Sequence, residues 1–200
     1  MRILRSGDYP ALPWKNGRGV ARQIAVFPAE ADYDALDWQV SRPRIGADTP
    51  FSRLAGLDRQ FMLVSGAGLT LRVRSAADGV DFEQRIDRPL EPFAFRGDWD
   101  VDCALASGPV EVLNVMTRRG HAWARIEIRE VAAPALVRKA AGETLVAYAA
   151  DPVTGYGIWG EEGLVADDSV LVDEPYATEI ALAAAGAPAA RAVLIRLGHT

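Results

Sequence analysis

The stretch Leu36–Arg42, which reads Leu-Asp-Trp-Gln-Val-Ser-Arg, alternates in side-chain character at every second residue. A period of two is the period of a β-strand, whose successive side chains point to opposite faces of the sheet. The two faces carry Leu36, Trp38, Val40 and Arg42 on one side and Gln39 and Ser41 on the other. The stretch therefore predicts a strand.

The same pattern continues in both directions along the chain. Phe61–Val64 and Leu69–Arg74 flank Ser65-Gly66-Ala67-Gly68 and predict a β-hairpin, and Trp123–Arg129 alternates strictly. Turn signals recur at about every 8–12 residues, as is typical of a sandwich or barrel, and no long amphipathic helix is evident. Further strands are predicted at Thr144–Ala149, Tyr156–Trp159, Leu164–Val172, Thr178–Ala183 and Ala192–Leu197. The sequence predicts an all-β fold.

Composition limits both the organisation and the location of the protein. The 200 residues suffice for two strand-rich halves, 1–120 and 121–200, and no linker separates them. The net charge of −5 argues against nucleic-acid binding, which needs clustered basic charge. One cysteine, Cys103, excludes an internal disulfide, and there is no apolar signal core or membrane-length run. We expect a cytoplasmic protein that binds neither nucleic acid nor membrane.

Residues for metal or nucleophilic chemistry are scarce. The two histidines, His121 and His199, lie apart from each other, and no Cys-x-x-Cys spacing occurs. No Gly-x-Ser-x-Gly motif or Ser-His-Asp arrangement is evident. The sequence therefore predicts no metal and no cofactor, and it does not favour an enzyme, although catalysis stays open.

The stretch Trp14–Ile24 concentrates rare residues. It holds one of the two lysines, Lys15, and one of the two asparagines, Asn16, beside a tryptophan and two glycines. Such a cluster at the entry to a strand can line a pocket, or it can form a tight turn with Trp14 packed on the core. The sequence alone does not decide between them.

Other polar and aromatic residues on the predicted strands complete a candidate anion site. Arginine presents a rigid fork that matches a carboxylate, and an amide in an apolar strand such as Asn114 needs partners if it is buried. The proposed ligand-binding residues are Trp14, Lys15, Asn16, Arg42, Phe51, Ser52, Arg59 and Asn114. Each also has a structural alternative: Arg59 can brace a turn through Asp58, and Arg42 can lie on an exposed edge.

The chain resembles the HutD/Ves family of cupin-like proteins in a series of ordered blocks. The blocks are Trp14-Lys15-Asn16-Gly17-x-Gly19 with Arg22-Gln23-Ile24; Trp38-x-Val40-Ser41; Pro50-Phe51-Ser52-x-Leu54-x-Gly56-Leu57-Asp58-Arg59; Gly66-Ala67-Gly68-Leu69-x-Leu71; Phe93-Ala94-Phe95-x-Gly97-Asp98; and Gly108-Pro109-Val110 with Leu113-Asn114-Val115-Met116-x-Arg118-Arg119-Gly120. Departures include Arg18 within the first block and Val112-Leu113 before Asn114.

The resemblance implies a bicupin, in which two jelly-roll (RmlC-like) β-barrel halves pack as one compact unit. It also implies a metal-free protein with a regulatory role in histidine utilisation or stress response. Its ligand would be a small carboxylate such as formylglutamate or urocanate. The alternatives are a cofactor-free isomerase or hydrolase that uses the same pocket, and an interaction scaffold without a ligand. Whether the chain forms a homodimer stays open, although barrels of this kind often dimerise.

Overall fold

The computed structural model describes residues 1–157 and 160–200, and these form β-strands with one three-residue 3₁₀ turn at Ser6–Asp8. The strands are β1 (Arg2–Leu4), β2 (Ala11–Pro13), β3 (Val20–Phe27), β4 (Trp38–Ile45), β5 (Thr49–Pro50), β6 (Leu57–Ser65), β7 (Leu69–Ser75), β8 (Val80–Ile86), β9 (Phe93–Arg96), β10 (Asp100–Leu105), β11 (Val110–Arg118), β12 (Ala122–Val131), β13 (Ala135–Lys139), β14 (Thr144–Ala149), β15 (Val153–Gly157), β16 (Gly160–Leu164), β17 (Ser169–Val172), β18 (Thr178–Ala184) and β19 (Ala190–His199). The all-β prediction is confirmed. Among the described residues, none belongs to a helix with the length and hydrophobicity needed to cross a membrane.

The chain divides into two units. The N-terminal unit is Pro10–Ala122, and the C-terminal unit is Met1–Tyr9 together with Trp123–Thr200. Residues 1–9 therefore do not belong with the first half, to which the sequence assigned them. The reason is that β1 adds antiparallel to β17, with Ile3 opposite Val170.

Two antiparallel sheets form the N-terminal unit. One sheet has the strand order β2-β3-β4-β11-β6-β9, and the other has the order β5-β10-β7-β8. Ile45 and Phe61 from the first sheet share one buried cluster with Leu71 and Val101 from the second. The unit is therefore a sandwich whose apolar core lies between its sheets.

The predicted hairpin at Gly66–Gly68 is wrong, because the chain there crosses from one sheet to the other. β6 pairs with β9 and β11, whereas β7 pairs with β8 and β10. Gly66 and Gly68 both have φ of +102°, and a Cβ on Gly66 would lie 2.7 Å from the Pro109 carbonyl oxygen. The glycines permit a crossover that passes too close to other backbone for any side chain. The glycines correctly indicated a sharp change of direction, but β6 and β7 do not pair with each other as a hairpin would require.

The C-terminal unit repeats the plan with sheets β1-β17-β14-β19-β12 and β13-β18-β15-β16. Its core includes Leu145, Val170 and Leu194, all fully buried. The predicted strand Leu164–Val172 is interrupted, because Asp167 has φ of +76°, which an extended strand does not accommodate. Of the predicted strand Tyr156–Trp159, residues 158 and 159 lie outside the described residues.

Candidate functional site

A cavity opens at one end of the N-terminal unit, on the inner face of its six-stranded sheet. Its lining surrounds about 430 Å³ of space, part of it at the open mouth. The lining residues are Trp14, Ala21, Tyr33, Ser41, Pro43, Ile45, Phe51, Ser52, Leu54, Arg59, Phe61, Asn114 and Met116. Because Ile45 and Phe61 also belong to the core between the sheets, the cavity is the open end of that core.

Arg59 is the charged residue of this lining, and β6 places it there. The strand alternates, so Arg59 faces inward with Phe61, and its side chain is 7% exposed. Its Nε donates a hydrogen bond of 3.3 Å to Oδ1 of Asn114. Its Cζ lies 5.2 Å from the ring centroid of Phe51 and 4.8 Å from that of Phe95, so the guanidinium lies between two aromatic rings.

Arg59 is a buried cation without a counter-ion. Among the described residues no carboxylate lies within salt-bridge distance of its guanidinium, in contrast to Arg119, which pairs with both Asp58 and Asp98. Burial lowers the pKa of Arg59 to about 10, and the nearby Tyr33 offsets only part of that effect. The group still carries its charge at neutral pH. An unpaired buried charge is costly unless a counter-ion is supplied, so the arrangement favours an anionic ligand.

Asn114 provides the amide beside Arg59. It lies in β11 opposite Ser41 of β4 and Phe61 of β6, and it is 3% exposed. Its Oδ1 accepts the bond from Arg59, while its Nδ2 has no acceptor among the described residues. The sequence required partners for a buried Asn114, and Arg59 is the partner of its amide oxygen. The remaining donor is available to a ligand.

Trp14 closes one side of the cavity. Its backbone N–H donates to the carbonyl of Gly19 at 2.9 Å, and its ring meets Phe51 edge-on with centroids 6.1 Å apart. Its buried Nε1 has no hydrogen-bond partner among the described residues. In the C-terminal unit, by comparison, Nε1 of Trp123 donates to the carbonyl of His199 at 3.2 Å. Of these two tryptophans, the one whose indole N–H has no partner is therefore the one that lines the cavity.

Gly19→Ala is expected to displace the Trp14 ring. A Cβ on Gly19 would lie 2.7 Å from Cε2 of the indole, closer than atoms approach in proteins, and the ring is wedged against Phe51. Such overpacking costs about 1–3 kcal/mol, or roughly 2–12 °C in Tm for a chain of this length. Thermal melts measure the loss, and the indole N–H resonance of Trp14 reports the displacement. Gly46→Ala is the control, because nothing lies within 4 Å of the Cβ that it adds; equal melts for the two variants would contradict the packing assigned to Gly19.

Five of the eight predicted site residues line the cavity, and three lie elsewhere. The five are Trp14, Phe51, Ser52, Arg59 and Asn114. Lys15 is exposed and pairs with Asp34, Nζ to Oδ1 at 2.5 Å. Asn16 uses its side chain within the loop: its Nδ2 donates to the Pro50 carbonyl at 3.0 Å, and its Oδ1 accepts from the N–H of Arg18 at 3.1 Å.

Arg42 is the third residue outside the cavity. It lies on the opposite face of β4 from Ser41, and its Nε donates to Oε2 of Glu111 at 3.0 Å. The alternation of Leu36–Arg42 already separates Arg42 from Ser41, and the cavity takes the Ser41 face. Arg18 is exposed and lines a different groove beside Thr49, so its side chain points away from the cavity.

Tyr33 and Ser41 also line the cavity but are not among the eight predicted residues. Burial raises the pKa of Tyr33, so its phenol stays protonated, and nearby Arg59 opposes that shift. Tyr33 comes from the loop between β3 and β4, where no periodicity marks which side chains turn inward. The ion pair of Lys15 with Asp34 ties this loop to the Trp14 loop. Ser41 has a signal in the sequence, namely its alternation with Arg42.

The described residues offer the cavity neither a cluster of metal ligands nor a reactive thiol. Across the described residues no three His, Cys, Asp or Glu side chains converge to hold a metal ion. Cys103 is buried in the core between the sheets, and burial raises the pKa of its thiol to about 12. It is packed as a small apolar residue.

Comparison with known proteins gives a family match over most of the chain. The family model described as HutD matches residues 6–190. An uncharacterised 21.2 kDa protein in the hutC 3′ region of Pseudomonas putida is 32% identical over 127 residues, which are 64% of this chain and 63% of that protein. Protein Ves of Citrobacter koseri is 31% identical over 123 residues, 60% of each chain. The matched part therefore spans less than two thirds of the length of these two relatives.

Solved structures match over nearly the whole chain. A conserved protein of unknown function from Pseudomonas aeruginosa PAO1, PA5104, superposes with a TM-score of 0.82 at 29% identity and covers 98% of each chain. HutD from Pseudomonas fluorescens SBW25, in a formate condition, superposes with a TM-score of 0.78 at 30% identity over 100% of this chain and 98% of that one. Oxalate decarboxylase from Lactobacillus farciminis, at 8% identity, 97% and 85% coverage and a TM-score of 0.67, shares the fold alone. The predicted fold class, with two cupin-like β units in one chain, is confirmed.

Proposed function

Since this chain belongs to the HutD family of cupin-like proteins, we propose that it is a cytoplasmic, metal-free protein that binds a small carboxylate and regulates histidine utilisation. The relative from Pseudomonas putida is named for the hutC region, which supports that context. Formylglutamate and urocanate are the proposed ligands. The observation that carries the proposal is Arg59, a buried guanidinium in the cavity that no carboxylate of the described residues pairs.

The donors of the lining suit a carboxylate. Four N–H groups of the Arg59 fork remain after its Nε is given to Asn114. A carboxylate is the planar acceptor that matches such a fork, and a charge-assisted bond is about twice as strong as a neutral one. Nδ2 of Asn114 and the hydroxyls of Ser41 and Tyr33 line the same cavity and suit further oxygen or nitrogen acceptors.

The walls suit a carbon skeleton of modest size. Phe51, Phe61 and Trp14 line the cavity, and Phe51 and Phe61 lie with their ring centroids 5.6 Å apart. Aromatic walls bury either a methylene chain or a flat conjugated system. Formylglutamate provides the first and urocanate the second, so the walls alone favour neither ligand over the other.

Thermal melts with a panel of acids test the proposal. Formylglutamate or urocanate at roughly 100 times Kd is expected to stabilise the protein by about 2.7 kcal/mol, or about 5–10 °C in Tm. The neutral amides of the same acids are the control and are expected to leave Tm unchanged, because they present no charge to Arg59. If neither acid shifts the melt, the proposed ligand class is wrong. Recovery of a chemically altered acid after incubation would instead favour the enzyme alternative.

A further inference from the structure

The polar groups of the cavity are unbalanced in charge. Arg59 contributes a full positive charge, and the other polar side chains of the lining are neutral: Tyr33, Ser41, Ser52 and Asn114. Within the described part of the chain no aspartate or glutamate contributes to that lining. A ligand therefore meets one cation and several neutral groups.

A ligand ammonium group has no good position in such a lining. The strongest neutral acceptor, Oδ1 of Asn114, already accepts from Arg59. The Phe51 ring, which could otherwise attract a cation, has the Arg59 guanidinium 5.2 Å from its centroid. Asp34, in the loop that carries Tyr33, is 77% exposed and paired with Lys15. An ammonium would lose its water without gaining a counter-ion, and Arg59 would repel it.

We propose that this cavity selects acids that carry no positive charge and rejects the corresponding α-amino acids. The inference rests on the proposed binding of a carboxylate by Arg59. It restricts that ligand to acids whose nitrogen atoms, if any, are acylated, conjugated or aromatic and hence neutral. Specificity of this kind is built by withholding a partner for the unwanted group, since an unpaired buried charge is costly.

Two matched pairs of acids test the selection by titration calorimetry. Glutarate and glutamate differ by one ammonium group, as do 3-(imidazol-4-yl)propionate and histidine. At about pH 8, above the ordinary imidazole pKa, the neutral ring predominates in both members of the second pair. In each pair for which binding is detected, the acid without the ammonium is expected to bind at least about tenfold more tightly than its amino counterpart. This difference corresponds to about 1.4 kcal/mol.

A substitution at the rim provides the second measurement. Oγ of Ser52 accepts a hydrogen bond from the backbone N–H of Asn16 at 3.2 Å, and an aspartate at this position retains that acceptor. Ser52→Asp adds a carboxylate to the lining. It is expected to reduce the difference in affinity between the two members of each pair, because an ammonium then has a partner. Ser52→Asn is the matched neutral control and is expected to retain the wild-type ratio.

The outcomes separate the two proposals. If glutarate or imidazolylpropionate binds but its amino counterpart binds equally well, the charge selection is overturned while carboxylate binding stands. If Ser52→Asp leaves the difference in affinity within each pair unchanged, the charge selection is also contradicted, because the lack of an acceptor would then not be the cause of that difference. If none of the four compounds binds up to about 10 mM, and neither formylglutamate nor urocanate binds at that concentration, the carboxylate site and the selection built on it both fail.

Discussion

Arg59→Met is expected to remove acid binding while leaving the free protein at least as stable as the wild type. Arg59 is buried, with 7% of its surface exposed, and its guanidinium has no carboxylate partner among the described residues. Hydrogen bonds to charged groups contribute about 1.5–3 kcal/mol, so affinity for formylglutamate or urocanate should fall about 10- to 150-fold. Replacing a buried charge by an apolar side chain of similar length is commonly neutral or stabilising.

The pair of readouts distinguishes a binding residue from a structural one. A structural Arg59 would lower Tm when it is lost, whereas an arginine held for a ligand would lower affinity and leave Tm unchanged or raised. Arg53→Ala is the control for loss of one positive charge, because Arg53 is 67% exposed and pairs only loosely with Asp100 at 3.5 Å. Calorimetric titration and thermal melts provide the two measurements. Arg59→Met protein that binds acids as tightly as wild type would refute the assigned anchor.

Asn114→Asp is expected to fill the anion site from within. The change is nearly isosteric and places a carboxylate where Oδ1 now accepts from Nε of Arg59 at 3.3 Å. The resulting ion pair would compensate the buried guanidinium, so Tm of the free protein should rise. A ligand carboxylate would then approach a like charge. Two charges about 5 Å apart in an environment of effective dielectric about 20 repel by about 3 kcal/mol, which corresponds to a loss of affinity of roughly 100-fold.

The control for Asn114→Asp separates charge from the loss of the amide. Asn114→Leu removes the Nδ2 donor, as Asn114→Asp does, and also removes the acceptor for Nε of Arg59, but it adds no charge. Its affinity should therefore fall by less than that of the aspartate variant, and its Tm should not rise. Thermal melts and titrations of both variants with urocanate provide the comparison. Equal losses in the two variants would show that the amide, rather than the charge balance around Arg59, controls binding.

The fold class could be predicted from the sequence because strand periodicity is a local property. Trp123–Arg129 alternates in the sequence and lies within β12, and Thr144–Ala149 has the bounds of β14. Strand partners are not local, and there the prediction failed. Gly66 and Gly68 signal a reversal in either case, and only the packing of their backbone on Pro109 and Ile86 shows that the chain changes sheets.

The residues of the candidate site also differ in whether local sequence could predict them. Arg59 and Asn114 could be predicted, because a charge and an amide within apolar strands must find partners. Lys15 could not be excluded, because its partner Asp34 lies in a loop that sequence spacing does not position. Tyr33 was missed for the same reason. Arg42 was predicted to line the site but lies outside the cavity. The alternation of Leu36–Arg42 already indicates this, because it puts Arg42 on the face of β4 opposite to Ser41.

The C-terminal unit shares the sheet plan of the N-terminal unit but uses its interior differently. Its buried lysine, Lys139, is 1% exposed and donates to the backbone carbonyls of Ala140 and Glu143 at 2.7 and 2.9 Å. Two of its three N–H donors therefore have acceptors within the unit, whereas among the described residues only one of the five N–H donors of Arg59 has one. Arg59 differs from it in this respect, which is why we assign binding to the N-terminal unit. The homodimer that barrels of this kind often form stays a prediction.

A crystal structure grown with saturating urocanate or formylglutamate tests the central claim most directly. The account predicts a carboxylate in the cavity, with its oxygens about 2.7–2.9 Å from the guanidinium nitrogens of Arg59, the usual length of a charge-assisted bond. It also predicts no such density in crystals of Arg59→Met. Bound acid at another place on the protein, or an empty cavity beside a wild-type Arg59 at saturating ligand, would contradict it.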